Sequence, residues 1–281
     1  MLLVVVVSSV GVQAFRPAVY GRPKGLHYTG LHGQATDQKP LAFEVATIKP
    51  AGLDGPFAQG RWIRMESANR FVAHNHAVKT LVAAAYDLAP EAISGGPSWV
   101  DSDRWEILAK TPGDVRPTPV QQMSMLRQLL SDRFGLSFHR QPKEFAIFAL
   151  TVAPGGPKLK DTAISADATP EGPPLVAFVL SPTVVRLPAK YLSMPEFASL
   201  LQRSPLDRPV FDRTGLTGRY DFDLEFAPDE SLWGGLLPRP ENSDKPGLIR
   251  AMQDQLGLNL ESTRGPVDTI VIDRVDRPTP N

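Results

Sequence analysis

The sequence predicts an α+β fold made of two tandem, duplicated units, each a mixed or antiparallel sheet with helices packed on one face. Three observations predict it. Apolar periodicity switches repeatedly between two and about 3.6 residues along the chain. The stretch "DRFGLSFHRQPKEFAIFALTV" (132–152) returns as "DQLGLNLESTRGPVDTIVIDRV" (254–275). Each is a helix end, a hydrophobic-Gly-Leu turn, a short strand, a polar break and a second apolar strand. In both halves an Arg-aromatic pair, Arg104-Trp105 and Arg219-Tyr220, opens the strand that follows the first helix. Order repeats as well as content, so duplication explains the pattern better than a coincidence of two common motifs.

The elements follow in order. "MLLVVVVSSVGVQAF" begins with an apolar run, 2–7, then small residues, then Val12-Gln13-Ala14 before Phe15. Small residues at those places suit signal peptidase, so residues 1–14 are read as a signal peptide, although no basic n-region precedes the run. The competing reading is a Val-rich buried strand. The run is too short to cross a bilayer as a helix. Residues 15–40, rich in Arg, Gly, Pro, His and Gln without periodicity, read as a linker.

The first unit covers 41–153. Alternation predicts strands over 43–50, 61–66 and 70–75, a helix over 77–88 and a strand over 104–109. The clearest helix is 119–134. Thr118 is its N-cap and Pro119 its first residue; Met123, Leu126, Leu129, Leu130 and Phe134 form its apolar stripe, and Gly135 ends it. Strands at 136–139 and 145–152 complete the unit. Residues 154–174, rich in Pro, Gly and Ala, read as a linker. The second unit, 175–281, has strands near 176–180 and 184–187 and a helix over 194–203 capped by Ser193. The alternating strand 220–226, a Pro-rich loop, a helix over 247–256 and a last strand pair follow.

Composition narrows the function. The chain has 281 residues, 42% of them hydrophobic and 21% charged, enough to bury a core. Its 28 prolines are about twice average usage and fall between the periodic segments. Lys+Arg and Asp+Glu are 30 each, so no net field favours nucleic-acid binding. The absence of cysteine excludes disulfides, thiolate nucleophiles and Cys-ligated metals. No Gly-x-Ser-x-Gly elbow, phosphate-binding loop or dinucleotide fingerprint occurs, and no cofactor is expected.

The carboxylate candidates are Asp101, Asp103, Asp221 and Asp223, with Glu225 beside them. A glycosidase needs two carboxyls held at a set separation across a cleft. Asp221, Asp223 and Glu225 alternate with Tyr220, Phe222, Leu224 and Phe226, however, and that is how a solvated sheet face reads. Asp101-x-Asp103 lacks the glycine and distal glutamate of a calcium loop. His74 and His76 flank Asn75; on a regular strand both would point one way and could share a metal. No third ligand is near in sequence, and His139 is the one other histidine of the folded region, so a strand pair without metal is favoured. Arg104 and Arg219 would bind an anion between the halves or, by the favoured reading, pair with Asp101, Asp103 or Asp221. Of the four tryptophans, Trp99 and Trp233 lie beside Gly/Pro turns and are the expected contact surface.

"FEVATIKP", "ISGGPSWVDSDRWEILAK", "LLSDRFGLSFHRQPKEFAIFALTVAPGGPKLK", "RPVFDRTGLTGRYDFDLEFAPD" and "LGLNLESTRGPVDTIVIDRVDRPTPN" together closely resemble an uncharacterised family of exported, soil-associated proteins expanded in acidobacteria. The resemblance covers about residues 41–281 and implies export, with no established activity, catalytic residues or cofactor. Some related domains are joined to membrane metallopeptidases of the β-lactam-sensor type; here there is no His-Glu-x-x-His. The expectation is an exported, periplasmic or secreted, non-enzymatic binding module. Its partner would be an envelope protein or an extracellular ligand, and after signal removal it would not be transmembrane. The alternatives are a carboxylate hydrolase of polysaccharide-type substrates and a sensor domain for a membrane-protease pathway.

Overall fold

A computed structural model describes residues 3–6, 41–52, 61–164, 177–181, 183–206, 208–233, 235, 237–241 and 243–278. The signal-peptidase pattern at Val12-Gln13-Ala14, the 15–40 linker and residues 165–174 of the second linker lie outside them.

Strand β1 (Leu3–Val6) is followed by β2 (Val45–Pro50), β3 (Trp62–Met65), β4 (Arg70–Ala77) and helix α1 (Val78–Tyr86). Then come β5 (Ile93–Gly95), α2 (Trp99–Ser102), β6 (Arg104–Lys110), α3 (Pro119–Phe134) and β7 (Ser137–Val152). The second half runs β8 (Lys160–Asp161), β9 (Ala177–Leu180), β10 (Val185–Ser193), α4 (Met194–Arg203), β11 (Val210–Asp212) and β12 (Arg219–Phe226). It ends with α5 (Leu248–Ala251), a wide π turn Met252–Leu256, and β13 (Leu258–Arg274). The fold class is α+β with mixed sheets, as the sequence predicts.

Local signals explain the helices. In α3 the Thr118 hydroxyl accepts from the Gln121 N–H while the Gln121 side chain accepts from the Thr118 N–H, and Gly135 closes the helix at φ 58°. Helix α4 repeats the capping box with Ser193 and Glu196. The helix expected over 247–256 is α for one turn and π after it. The wide turn presents Gln255 to β12, where its amide accepts from the Glu225 N–H (3.0 Å) and donates to the Glu225 carbonyl (2.6 Å).

Three sheets result, with strand orders β3-β4-β6-β2, β1-β9-β10-β12-β8 and β11-β7-β13-β5. The first two carry the wet and dry faces expected of half-buried sheets. Phe71, Ala73, Ile107 and Ala109 face a core with α1 and α3, and Leu187, Ala189, Leu224 and Phe226 face a second core with α4.

The third sheet is where the structure departs from the sequence reading. The two strands expected at each unit's end, on either side of a polar break, are one continuous strand in each case. β7 and β13 pair antiparallel along their length, from Leu258↔Val152 to Arg274↔Ser137. Gln141-Pro142 and Gly265-Pro266 look like breaks because proline interrupts a ladder. Here they lie where β7 and β13 have only each other as neighbours among the described residues, so the missing N–H groups leave no ladder unpaired on the outer side.

This ribbon joins the halves. Leu136 and Phe138 belong to the first core, whereas Phe148 and Leu150, at the far end of β7, belong to the second. Leu258 and Leu260 belong to the second core, whereas Ile270 and Ile272, at the far end of β13, belong to the first. β5 pairs parallel with β13 at Ile270–Ile272, and β11 pairs parallel with β7 at Phe148–Leu150. Ser199 and Gln202 of α4 also donate to Asp87 after α1, and the buried Arg203 pairs with it at 3.3 Å. Residues 154–164, expected to be linker, instead hold β8, which pairs with β12 at Asp161↔Tyr220, and a loop whose Lys158 N–H donates to the Leu256 carbonyl at 2.8 Å.

Candidate functional site

The corner where β4 enters α1 collects the most polar chemistry. A regular strand would put His74 and His76 on one face. Instead a β-bulge shifts the β4–β6 register between Ala73 and His76, and Asn75 takes a left-handed φ of 57°, which asparagine tolerates better than most residues. The extra residue turns the two histidines to opposite faces, so the expected shared orientation does not occur. His74 stacks on Trp62 (3.9 Å between centroids) and its Nδ1 lies 2.9 Å from Glu106 Oε2. Glu106 also accepts from the Asn75 N–H at 3.2 Å, holding the bulge. His76 points inward, 7% exposed, with Nδ1 3.1 Å from the Thr80 hydroxyl. His139 is elsewhere, exposed on β7 beside Asp273 (2.8 Å). No cluster of three or more His, Asp or Glu able to hold a metal occurs among the described residues.

Burial pushes the His76 imidazole well below the usual histidine range, and the charges of Arg61, Arg104 and His74 push it the same way. The Trp62 carbonyl opposes them without reaching hydrogen-bond geometry at Nε2. His76 is therefore neutral when folded and takes a proton near pH 6.5 when unfolded. Its contribution is present above pH 6.5 and is lost as pH falls toward the depressed folded value. Leucine occupies the matching place, 192, in the second half. His76→Leu is expected to flatten the pH dependence of urea-unfolding stability between about pH 6.5 and 5, relative to wild type. An unchanged slope would remove His76 from the acid response.

β10 and β12 build the same corner. Their register shifts between Ala189 and Leu192, and Tyr191 also has φ 57°. Here Asp221 accepts from the Tyr191 N–H (2.9 Å) and from Lys190 Nζ (3.2 Å). Burial raises the Asp221 carboxyl, but the bonds from Tyr191, Thr162 and Lys190 outweigh it and hold the group below its ordinary range. The Arg219 guanidinium donates to Glu196 Oε2 (2.8 Å) and to the Tyr191 carbonyl (2.9 Å), with its carbon 4.5 Å from the Tyr191 ring centre.

The carboxylate candidates are thus held separately by cations. Asp223 takes a two-point bond from Arg186 (3.0 and 2.9 Å), and Glu225 takes Lys245 at 2.7 Å. Asp101 pairs with Lys79 at 2.9 Å and Asp103 with Arg277 at 2.9 Å. Arg219 finds its partner in Glu196, not in Asp221 as expected from sequence, because residue 196 stands at the third position of α4, above the strand end. Glu196 had no distinguishing signal except the Ser-x-x-Glu spacing of its capping box. Trp99, expected on a contact surface, is 9% exposed and covered by the Arg277 guanidinium, 4.9 Å from its ring centre. Trp233 is half-buried. Its ring lies parallel to Phe226 at 6.3 Å, its N–H donates to the Pro205 carbonyl (2.9 Å), and its indole N–H donates to Ser204 (3.1 Å).

Leu232, the chain neighbour of Trp233, lines a groove of about 480 Å³. Phe148, Leu206, Leu232 and Leu248 give it an apolar lining, while Arg208, Asp229, Glu230 and Arg250 bring charge to it. Arg208 lies over the Phe148 ring at 4.6 Å, and Ile249, which also lines the groove, is 44% exposed. Beside it β11 is an edge strand of the ribbon sheet and carries the exposed Phe211. The residues that form the groove, scattered from 148 to 250, gave no sequence signal as a group.

No curated protein matches the chain, and no solved structure matches it. One family does, across residues 79–275, from α1 through the last pairs of β13, and so across the second corner and the groove, while β3 and β4 of the first corner precede the match. The chain belongs to that family, DUF3738, a family of proteins of unknown function.

Proposed function

We propose that the chain is an exported, non-enzymatic binding module of the cell envelope, and that the groove between Leu232 and Leu248 takes a segment of an envelope protein or an extracellular ligand. The groove carries the reading. An apolar floor with charged residues around it is how segment-binding surfaces are built, and the neighbouring edge of β11 offers backbone groups to an extended chain. The acids needed by the rival hydrolase are each engaged by a cation or a backbone N–H, a structural use of charge. The resemblance to exported, soil-associated proteins and the Val12-Gln13-Ala14 pattern support export. The matched order of elements, with a bulge at the same corner of each half, supports an ancient duplication.

Cleavage after Ala14 would remove β1 and leave β9 as a sheet edge, and N-terminal sequencing of the mature protein reads this directly. The binding reading is tested in cells with a photo-crosslinking amino acid at Ile249 in the full chain at native level, followed by mass spectrometry of the envelope fraction. One dominant adduct, lost on Leu232→Arg, is the expected result. No adduct, together with hydrolysis of polysaccharide that disappears on Asp221→Asn, would overturn it in favour of the enzyme.

A further inference from the structure

We propose that the corner of β3, β4 and β6 is a binding site for an oxyanion of the phosphate type, held by the guanidinium groups of Arg61 and Arg104 with the inward imidazole of His76.

The two corners show why. Register places Arg104 opposite Ala77 and Trp105 opposite His76; it places Arg219 opposite Ser193 and Tyr220 opposite Leu192. Each arginine therefore stands at the strand end beside the start of a helix. In the second half that place is filled from within the chain. Ser193 caps α4, and the carboxylate of Glu196, 5% exposed, meets Arg219 at 2.8 Å. In the first half Ala77 replaces the serine and Thr80 replaces the glutamate. Helix α1 has no side-chain cap and no acid in its first turn. Arg104 thus occupies the position of Arg219 without the carboxylate that neutralises it.

Arg61 adds a second cation, beside the neutral ring of His76. Arg61 immediately precedes β3; burial lowers its guanidinium from the ordinary arginine range, and the charge of nearby Arg104 lowers it further. His76 is within range of both guanidiniums. Among the described residues, neither the Arg61 nor the Arg104 guanidinium has an ion pair or a hydrogen bond. The nearby acid, Glu106, two residues on along β6, is occupied by His74 and the Asn75 N–H. His76 is 7% exposed, and its Nε2 is buried without a hydrogen-bond partner. Arg104 is exposed and gives the corner its side toward solvent, with Nε2 covered behind it. A concentration of positive charge around an unpartnered ring nitrogen is what an anion relieves.

The hydrogen bonds set a proton link. The Thr80 hydroxyl donates to the Ala77 carbonyl at 2.9 Å, so it accepts from His76 Nδ1–H, and Nε2 carries the ring's lone pair. An arriving oxyanion supplies the countercharge that lets Nε2 take a proton and donate to it. Binding therefore takes up a proton on His76, against the opposing charges of Arg61, Arg104 and His74, and tightens as pH falls.

The test is calorimetric titration and thermal unfolding of the full chain with inorganic phosphate, against sodium chloride at equal ionic strength and against acetate. Saturable phosphate stabilisation is expected, stronger at pH 6 than at pH 8. Arg104→Gln should weaken it on the order of tenfold, the loss of one charge-assisted bond. A second variant, Ala77→Ser with Thr80→Glu, rebuilds the internal carboxylate of the other half; it should unfold at a higher temperature without ligand and no longer respond to phosphate. A response to acetate as well widens the ligand class to carboxylates and still supports the site. A phosphate effect no larger than that of chloride, or one untouched by both variants, would overturn the proposal. The site is separate from the groove, so loss of crosslinking at Ile249 leaves this titration unaffected.

Discussion

Replacing Arg219 by alanine is expected to destabilise the protein by about 3 kcal/mol, the lower end of the cost of breaking a buried ion pair, because Arg219 itself is 38% exposed on its side chain whereas Glu196 is 6% exposed. The loss is large because what remains is a buried carboxylate whose strongest partner is gone. Ser193 still donates to it from its N–H (2.9 Å) and hydroxyl (2.8 Å), but both are neutral. The Tyr191 carbonyl, bonded by Arg219 at 2.9 Å, is released too, in a residue already held at positive φ. Adding Glu196→Gln to Arg219→Ala should recover part of the loss, since the amide keeps the cap without the charge. A double-mutant cycle in urea measures that coupling. Arg104→Ala, at the matching corner, should stay within about 0.5 kcal/mol, as an exposed side chain without a carboxylate. Equal effects of the two arginine variants would contradict the difference between the corners.

Gly257→Ala is expected to cost about 3 kcal/mol, and Gly135→Ala only about 1 kcal/mol, although both glycines end a helix in the same way. Both have left-handed backbone, φ 65° and 58°, and each would strain an alanine comparably. The difference is what the new methyl group meets. At Gly257 a Cβ would lie 2.1 Å from the Gly156 carbonyl oxygen, 2.9 Å from the Lys158 nitrogen and 3.0 Å from Pro157 Cα. All of that is backbone, and moving it breaks the bonds from the Ala153 N–H to the Gly257 carbonyl (2.9 Å) and from Lys158 to Leu256 (2.8 Å). At Gly135 the Cβ would meet one carboxylate oxygen of Asp276 at 2.9 Å, the mobile end of a side chain. Thermal unfolding of the two variants side by side checks this. If Gly135→Ala were the more damaging, the loop 154–158 would not be packed against the helix end as described.

What could be read without the fold follows a physical rule. Helix α3 was legible to the residue, because Thr118, Pro119 and Gly135 act within one turn of the backbone they cap, and the Met123-Leu126-Leu130-Phe134 stripe needs only helical spacing. Helix α4 and the alternation of β12 were legible for the same reason, and the ordered motifs were enough to point to a family of unknown function. The long strands were not. Whether Pro142 and Pro266 end a strand depends on whether another strand lies on their outer side, and each meets its partner across more than a hundred residues of chain. The direction of His76 depends on a bulge set by Glu106 on a neighbouring strand, and the partner of Arg219 on a helix that begins beside its strand end. The groove exists only because Phe148, Leu206, Leu232 and Leu248 converge from four segments. By itself, the sequence determined where helices start and stop, which faces are apolar and that two halves follow one order. The tertiary structure decided that the halves exchange long strands through a common ribbon, which acids are neutralised, and which corner is left with positive charge, because pairing, desolvation and charge balance are properties of neighbours in space.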